Sequence, residues 1–521
     1  MQKQKSENAI PFIIYNPKEG FQLNQEAENY LLSLDPQKKL AVISIVGKYR
    51  TGKSFFVNRV LLDRVGNKEG FSVGPTINPC TKGLWIWKEC LKTENQKNED
   101  LNVILIDTEG FGGMDENENH DSRIFLFSLL LSSYFIYNSQ GNIDENALNT
   151  ISLIINLAKD LKIENSSNEK QILSEYFPSF MWILRDFALQ MVDQSGQKIT
   201  PKEYLEKALE QQKGISDNIE QKNKIRRLLK HYFQDRDCFP LIRPVESEQN
   251  LQKLNDIPNE DLRPEFIEQI KTLKRQIFNN IKPKILNGKA LNGQQLVLVC
   301  KAYINAINKG NIPTIQNAWK YMCRNESLKN KNLQVEFFGK QIQEYINNNN
   351  KEFIQNQELI EFKEKIKKQA FTEFQRKNIV ADQEELKEYY ENLGKEIDEV
   401  FLYFQGENLN KMKVKFEQIC QGQIQSLQDK LNNDSYNNFL EFQKDLESFV
   451  NVFLKEVGKN SDSEDFIKIL TDKICQEAAE KISLKQQRDL EKEKEFLYTN
   501  KAQMKLIIKI LNKIGKTKKK I

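Results

Sequence analysis

The sequence is poor in the features that mark several protein classes. Its seven cysteines are odd in number, widely spaced and never in a Cys-x-x-Cys pair, which argues against a disulfide framework or a structural zinc site and fits a reducing compartment. Histidine occurs only at His120 and His231, with no acid or cysteine spaced to make either a metal ligand or a triad member, so both read as structural. The longest apolar run, residues 124–137, is broken by Ser128, Ser132 and Ser133 and falls short of the roughly 20 residues of a membrane-spanning helix. The polar start, Met-Gln-Lys-Gln-Lys-Ser-Glu, lacks the apolar core of a secretory signal, and a cytoplasmic location is expected. Neither sign of charge dominates: 77 Lys and Arg against 73 Asp and Glu leave +4, too even a balance to advertise a specific nucleic-acid binder. What is there, 39% hydrophobic and 29% charged residues over 521 positions, suffices for packed cores and exceeds one of them, at roughly 100–200 residues per domain.

Proline is absent from the second half. All thirteen lie at or before Pro313, so the chain beyond that point is free to be helical almost throughout. Apolar residues there recur at helical spacing, as in Leu359, Phe362, Ile366 and Ala370 or Phe439, Phe442, Leu446, Val450 and Phe453. An all-α, elongated stalk or bundle is expected. The first half alternates buried-type strand runs, Leu40–Val46, Asn102–Ile106, Tyr134–Tyr137, Met181–Leu184 and Cys238–Ile242, with helix patterns at Ser54–Val65, Asp121–Leu131, Asn146–Lys162 and Pro201–Gln212. Such alternation predicts an α/β domain, a mostly parallel sheet flanked by helices that binds ligands at the carboxyl ends of its strands.

Gly47-Lys48-Tyr49-Arg50-Thr51-Gly52-Lys53-Ser54 fits G-x-x-x-x-G-K-[ST] directly after the Leu40–Val46 strand and before a helix pattern. In this setting the loop turns its backbone N–H groups toward phosphate oxygens, Lys53 reaches the β- and γ-phosphates, and Ser54 ligates Mg²⁺. A glycine-rich turn with no ligand is the plain alternative, and the strand–loop–helix context argues against it. Asp107-Thr108-Glu109-Gly110 follows the next strand, where Asp107 serves the Mg²⁺ side and the Gly110 N–H can meet the γ-phosphate. Between them, Thr81 precedes an apolar strand pattern and is the candidate switch threonine on Mg²⁺, with Thr76 in the same loop as competitor. Arg50 can act as an arginine finger in cis or simply pair with a surface carboxylate. With no N-K-x-D motif, Leu184-Arg185-Asp186 is the candidate base reader, its aspartate accepting from guanine N1–H and N2–H₂; read locally, Asp186 equally suits a helix N-cap.

Taken in order, the Gly47–Ser54 loop, Thr81–Trp85, Asp107–Gly110, Leu131-Ser132-Ser133 leading to Tyr137-Asn138-Ser139, and Leu184-Arg185-Asp186-Phe187 resemble the guanylate-binding proteins, a branch of the dynamin-like large GTPases. The resemblance covers about residues 10–310, and beyond about residue 330 only helical character matches. It implies a G domain that hydrolyses GTP with Mg²⁺, forms a homodimer across its nucleotide faces and hydrolyses faster when dimeric. By motif position it makes Arg50 the cis finger, Lys53 the phosphate lysine, Ser54, Thr81 and Asp107 the Mg²⁺ side, and Glu109 part of the water-positioning network. Gly47, Tyr49, Thr51, Gly52, Phe55 and Gly110 complete the nucleotide contacts, and Arg185, Asp186 and Arg243 lie toward the base. Two departures stand out. Pro79 occupies the position where animal members often carry a serine that helps hold the attacking water, and Val245-Glu246-Ser247-Glu248 replaces the basic cluster that they bring into the cap over guanine.

No acidic residue follows Glu495, whereas Lys501, Lys505, Lys509, Lys513, Lys516, Lys518, Lys519 and Lys520 do. Met504, Ile507, Ile508, Leu511 and Ile514 fall among them at steps of three and four, which describes a basic amphipathic helix. It can lie on an anionic membrane, at about 1 kcal/mol per lysine near the surface, or dock on the stalk with its lysines solvated. Residues 518–521 are not a C-a-a-X box, so a prenyl anchor is not expected. The expected organisation is a G domain at 1–310, a helical domain at 311–495 and a basic tail at 496–521. A slow GTP-dependent scaffold, a membrane-remodelling GTPase using the tail, and an ATPase on the same loop are the alternatives.

Overall fold

The computed structural model describes residues 8–65, 70–71, 83–108, 110, 118–148, 151, 177–193, 195–214, 216–311, 313–349, 351–377 and 383–517. The chain divides into two compact units, Met1–Glu326 and Ser327–Ile521.

The first unit is built on one sheet. Its strands are β1 (Ala9–Asn16), β2 (Gly20–Leu23), β3 (Lys39–Val46), β4 (Leu84–Trp87), β5 (Leu91–Glu94), β6 (Asp100–Thr108), β7 (Tyr134–Gln140), β8 (Ser179–Arg185) and β9 (Arg236–Leu241). They run in the order β2-β1-β4-β6-β3-β7-β8-β9, with β5 also paired to β6. The pairs β3–β6, β3–β7, β7–β8 and β8–β9 are parallel, while β1, β2, β4 and β5 add an antiparallel flank. β3 explains the arrangement: after Lys39 all seven residues are buried, as a central strand covered on both faces requires. Its period of two sends Leu40, Val42 and Val46 into one core layer and Ala41, Ile43 and Ile45 into the other. β8 repeats the division, with Phe180, Trp182 and Leu184 on the first side and Met181 and Ile183 on the second.

The flanking helices match the sequence patterns with informative differences. α1 is Gln25–Ser33, capped by the Asn24 side chain. The expected helix Ser54–Val65 is shorter: α2 (Lys53–Phe56) passes into a π-helical turn, Val57–Leu61. Within it the Asn58 side chain bonds both backbone groups of Phe71, and beyond its end Asp63 turns into the left-handed region at φ 53°. α3 (Glu118–Leu131) begins before the expected Asp121. Of Asn146–Lys162, residues 149–150 and 152–162 lie outside the described residues. α4 (Pro201–Ala208) starts at a Thr200/Glu203 capping box and ends four residues early, where the Leu209 N–H closes on Leu205 and Lys207. Then come α5 (Asp217–Tyr232), α6 (Pro264–Asn280), the small ribbon β10 (Ile285–Leu286) and β11 (Lys289–Ala290), and α7 (Gly293–Asn308).

The second unit is helical, as the missing prolines predict. It contains residues 327–348 of α8 (Ile315–Asn348), α9 (Asn356–Lys377), α10 (Gln383–Asn432), α11 (Phe439–Val457) and α12 (Ser461–Thr517). Leu359, Ile366 and Ala370 pack with Phe338, Leu393 and Ile397 in one cluster, and Phe442, Leu446 and Phe453 pack with Phe416, Ile467 and Ile474 in another. The two stripes read from the sequence are therefore the core faces of α9 and α11. No helix of the described residues is long and apolar enough to cross a membrane.

Candidate phosphate-binding site

The loop after β3 is held by contacts that are tight at its glycines. A Cβ on Gly47 would collide with the carbonyl oxygen of Asn138, so only glycine lets the loop pass this close to β7. Within the turn the Thr51 hydroxyl donates to the Lys48 carbonyl at 2.8 Å and Lys53 Nζ donates to the same oxygen at 3.2 Å. Gly52 begins α2 at φ 75°, the left-handed conformation that glycine adopts freely. Arg50 adopts it too, at φ 64°, a strained state for a side-chain-bearing residue that persists only where its surroundings impose it. Its side chain is exposed, with the guanidinium 5.3 Å from the centre of the Tyr49 ring, and it pairs with no carboxylate among the described residues.

Strand register supplies the acidic partner. Ile45 lies opposite Asp107 in the parallel β3–β6 pair, which sets the Asp107 carboxylate beside the start of α2. Asp107 is 0% exposed, and the Ser54 hydroxyl donates to its Oδ2 at 2.5 Å. A hydroxyl and a carboxylate are the hard oxygen donors that Mg²⁺ selects, so the pair fits the ion; adjacent octahedral donors stand about 2.9 Å apart, which the two oxygens reach by a small separation. Gly110 closes the site from above: a Cβ there would strike the Tyr49 backbone and come 2.7 Å from Lys53 Nζ. Gly110 thus rests on the phosphate loop.

The remaining expected residues are placed unevenly. Arg185 ends β8 only 5% exposed, its Nη1 donating to the Gly52 carbonyl at 3.3 Å and its guanidinium 5.7 Å from the Phe55 ring. Burial pushes its pKa below the ordinary arginine range, and its Nε has no partner among the described residues. Its observed contacts are with the loop. Asp186, half-buried, turns the chain at φ 56° and begins no helix, so the N-cap alternative falls. Arg243 lies two residues beyond β9, half-buried, with its Nε unpartnered among the described residues. Thr81, its competitor Thr76, Glu109 and Pro79 lie outside the described residues.

One loop contact has no role in the expected site, although its residue lies in the Tyr137-Asn138-Ser139 stretch. Asn138, 0% exposed on β7, donates from Nδ2 to the Thr51 carbonyl at 2.8 Å while its own backbone oxygen abuts Gly47. It buttresses the loop at two points. The signal available in the sequence was a polar residue at the carboxyl end of a buried strand run, the place where α/β sheets gather ligand residues.

A parallel sheet with a glycine-cornered loop between β3 and α2, its serine bonded to an aspartate at the end of β6, defines a phosphate-binding-loop protein. Residues 18–286 match the family model described as guanylate-binding protein, N-terminal domain, and residues 287–496 match guanylate-binding protein, C-terminal domain. The chain belongs to the guanylate-binding protein family. It is 36% identical to guanylate-binding protein 1 of Homo sapiens over 315 residues, 59% of this chain and 51% of that protein. It is 34% identical to guanylate-binding protein 5 of Homo sapiens over 322 residues, 60% and 53% respectively. With guanylate-binding protein 1 of Mus musculus it shares 29% over 465 residues, 87% and 75%. The chain spans about half the length of the human relatives it matches.

Proposed function

We propose that the protein is a GTPase that binds GTP with Mg²⁺, hydrolyses it and is activated when two G domains dimerise through their nucleotide faces. The observation that carries the reading is the loop geometry. Lys53 lies between the Lys48 carbonyl and Gly110, where a β/γ-phosphate would sit, and Ser54 is already on Asp107. Ser54 and Asp107, with Thr81, would hold Mg²⁺, which when bound would neutralise charge at the phosphates. Arg50, exposed and without a carboxylate partner among the described residues, is the cis finger. Glu109 helps position the attacking water, and Asp186 reads guanine, with Arg185 and Arg243 assigned to the base side. The organisation in this reading is a G domain at 1–310, a helical domain at 311–495 and a basic tail at 496–521, acting in the cytoplasm.

A membrane-facing role for the tail is a second reading, favoured by one feature. Met504, Ile507 and Ile508 on α12 are each more than half exposed, with Lys501, Lys505 and Lys509 beside them. Turnover per molecule, measured for GTP and ATP over a wide range of protein concentration, tests the main reading. Specific activity rising with concentration for GTP alone supports it, whereas tight GTP binding with flat, near-zero turnover replaces it with a scaffold. Sedimentation with anionic vesicles that is unchanged on deleting residues 501–521 removes the membrane reading.

A further inference from the structure

Two buried arginines converge on one aromatic ring. Phe55, on α2 directly after Ser54, is itself buried, and its ring centre lies 5.7 Å from the guanidinium carbon of Arg185 and 5.7 Å from that of Arg59. Phe266, near the start of α6, stacks beside it at 6.4 Å. Arg185 ends β8 and Arg59 belongs to the π-helical turn, so the ring joins segments that lie far apart in the sequence.

Both cations rest on neutral oxygens. Arg185 donates from Nη1 to the Gly52 carbonyl at 3.3 Å. Arg59 donates from Nη1 to Asn259 Oδ1 at 2.8 Å and from Nη2 to the carbonyls of Asn255, at 3.0 Å, and Ile257. Asp186 and Asp256 attract them through space, without a hydrogen bond to either among the described residues. Burial pulls both pKa values below the ordinary arginine range, yet a guanidinium keeps its proton at neutral pH. Two desolvated charges on neutral acceptors need a further source of negative potential, and the face of an aromatic ring supplies one within about 6 Å, more strongly where water is excluded.

What the ring holds together bears on base recognition. Asp186 directly follows Arg185. Asn255, Ile257 and Asn259 lie in the stretch that begins beyond Arg243, and that stretch is closed where the Arg263 N–H donates to the Pro244 carbonyl at 2.9 Å. A nucleotide meets the phosphate loop at one end and its base reader at the other, so a fixed distance between the two lowers the cost of binding. We propose that Phe55 is a positioning residue for base selection: its ring steadies the Arg185 guanidinium on Gly52 and the Arg59 guanidinium on the 254–259 loop, and so sets the Asp186 turn at a fixed distance from the phosphate loop. The inference rests on the guanine-reading role given to Asp186.

In the full chain Phe55 is replaced by phenylalanines carrying one, two and three ring fluorines, which drain the negative face of the ring while nearly keeping its shape. Binding of the β,γ-imido analogues of GTP and ATP with Mg²⁺ is measured by calorimetry. Affinity for the GTP analogue is expected to fall stepwise, about tenfold by the third fluorine. The ATP analogue loses less, so the preference for guanine narrows. Phe55→Leu, which keeps apolar bulk without a ring, falls as far as the three-fluorine chain; should it melt early, the fluorinated series carries the comparison. Equal losses for the two analogues mark the ring as mere packing under the loop and overturn the proposal. A native chain that binds both analogues equally overturns the guanine reading and the proposal with it, whereas a selective native chain with a flat fluorine series overturns the proposal alone.

Discussion

Replacing Asn138 tests the claim that β7 holds the phosphate loop from behind. In Asn138→Ala the Thr51 carbonyl loses its 2.8 Å donor inside the protein, and an orphaned buried acceptor costs about 1–3 kcal/mol. The lower part of that range applies, since Asn138 Oδ1 has no partner among the described residues and leaves with the side chain. A cost of about 1–2 kcal/mol corresponds to about 5–30-fold in nucleotide affinity if the loop bears it all. Asn138→Asp sharpens the test. An ionised carboxylate only accepts, so it sets two oxygens against each other in a site with 0% exposure. Burial raises the pKa of such a carboxyl, and the protonated form can again donate to Thr51. With a folded pKa above the unfolded one, the folded state binds more protons between the two values, so stability falls as pH rises through that window and the penalty is complete above it. Asn138→Asp is therefore expected to approach native behaviour at pH 5.5 and to be worse than Asn138→Ala at pH 8. Fluorescent GTP-analogue titration and urea unfolding at both pH values measure this relative to the native chain. Asn138→Ala within twofold of native affinity at unchanged stability, or an Asp variant indifferent to pH, refutes the reasoning.

The same geometry sets other expectations. Arg50→Ala is expected to keep nucleotide affinity within a few-fold while GTP turnover drops about 10³-fold; equal turnover removes the finger assignment. Arg50→Gly, at φ 64°, is expected to raise the melting temperature where Arg50→Ala does not, because only glycine relieves the left-handed strain. Asp186→Asn is expected to weaken GTP binding by about 10²-fold or more without altering ATP binding, as loss of an acceptor for two guanine donors requires; competition titrations decide it. Lys284 is fully buried, hydrogen-bonded to the Ser132 carbonyl at 2.9 Å, and desolvation lowers its pKa to about 7. The unfolded chain then binds the extra proton between pH 7 and the ordinary lysine range, so this group's penalty is present at and below pH 7 and fades as pH rises. The stability difference between the native chain and Lys284→Met should move in favour of the native chain from pH 7 to 9.5. A constant difference in urea midpoints contradicts this.

Much of the molecule is written in short stretches of chain. Seven consecutive buried residues in β3, the loop after it and the aspartate at the end of β6 are each legible locally, because strand periodicity, glycine geometry and motif spacing act over fewer than about ten residues. The helical second half is equally local: with no proline after Pro313, apolar stripes at three- and four-residue steps have one structure to form. Even the expected helix Ser54–Val65 began within a residue of its place, but it passes into a π-helical turn ending at Leu61, and its Asn58 bonds Phe71, a partner 13 residues away that no periodicity announces. The longer the separation, the less the sequence says. Asn138 lies 87 residues from Thr51 and Arg185 133 from Gly52, and both meet the loop because β7 pairs beside β3 and β8 beside β7. Arg59 reaches carbonyls nearly two hundred residues on. Composition and motif establish that a phosphate loop exists and what chemistry it suits; which buried side chains brace it depends on strand order and register, where contacts far apart in the chain form together in one cooperative fold.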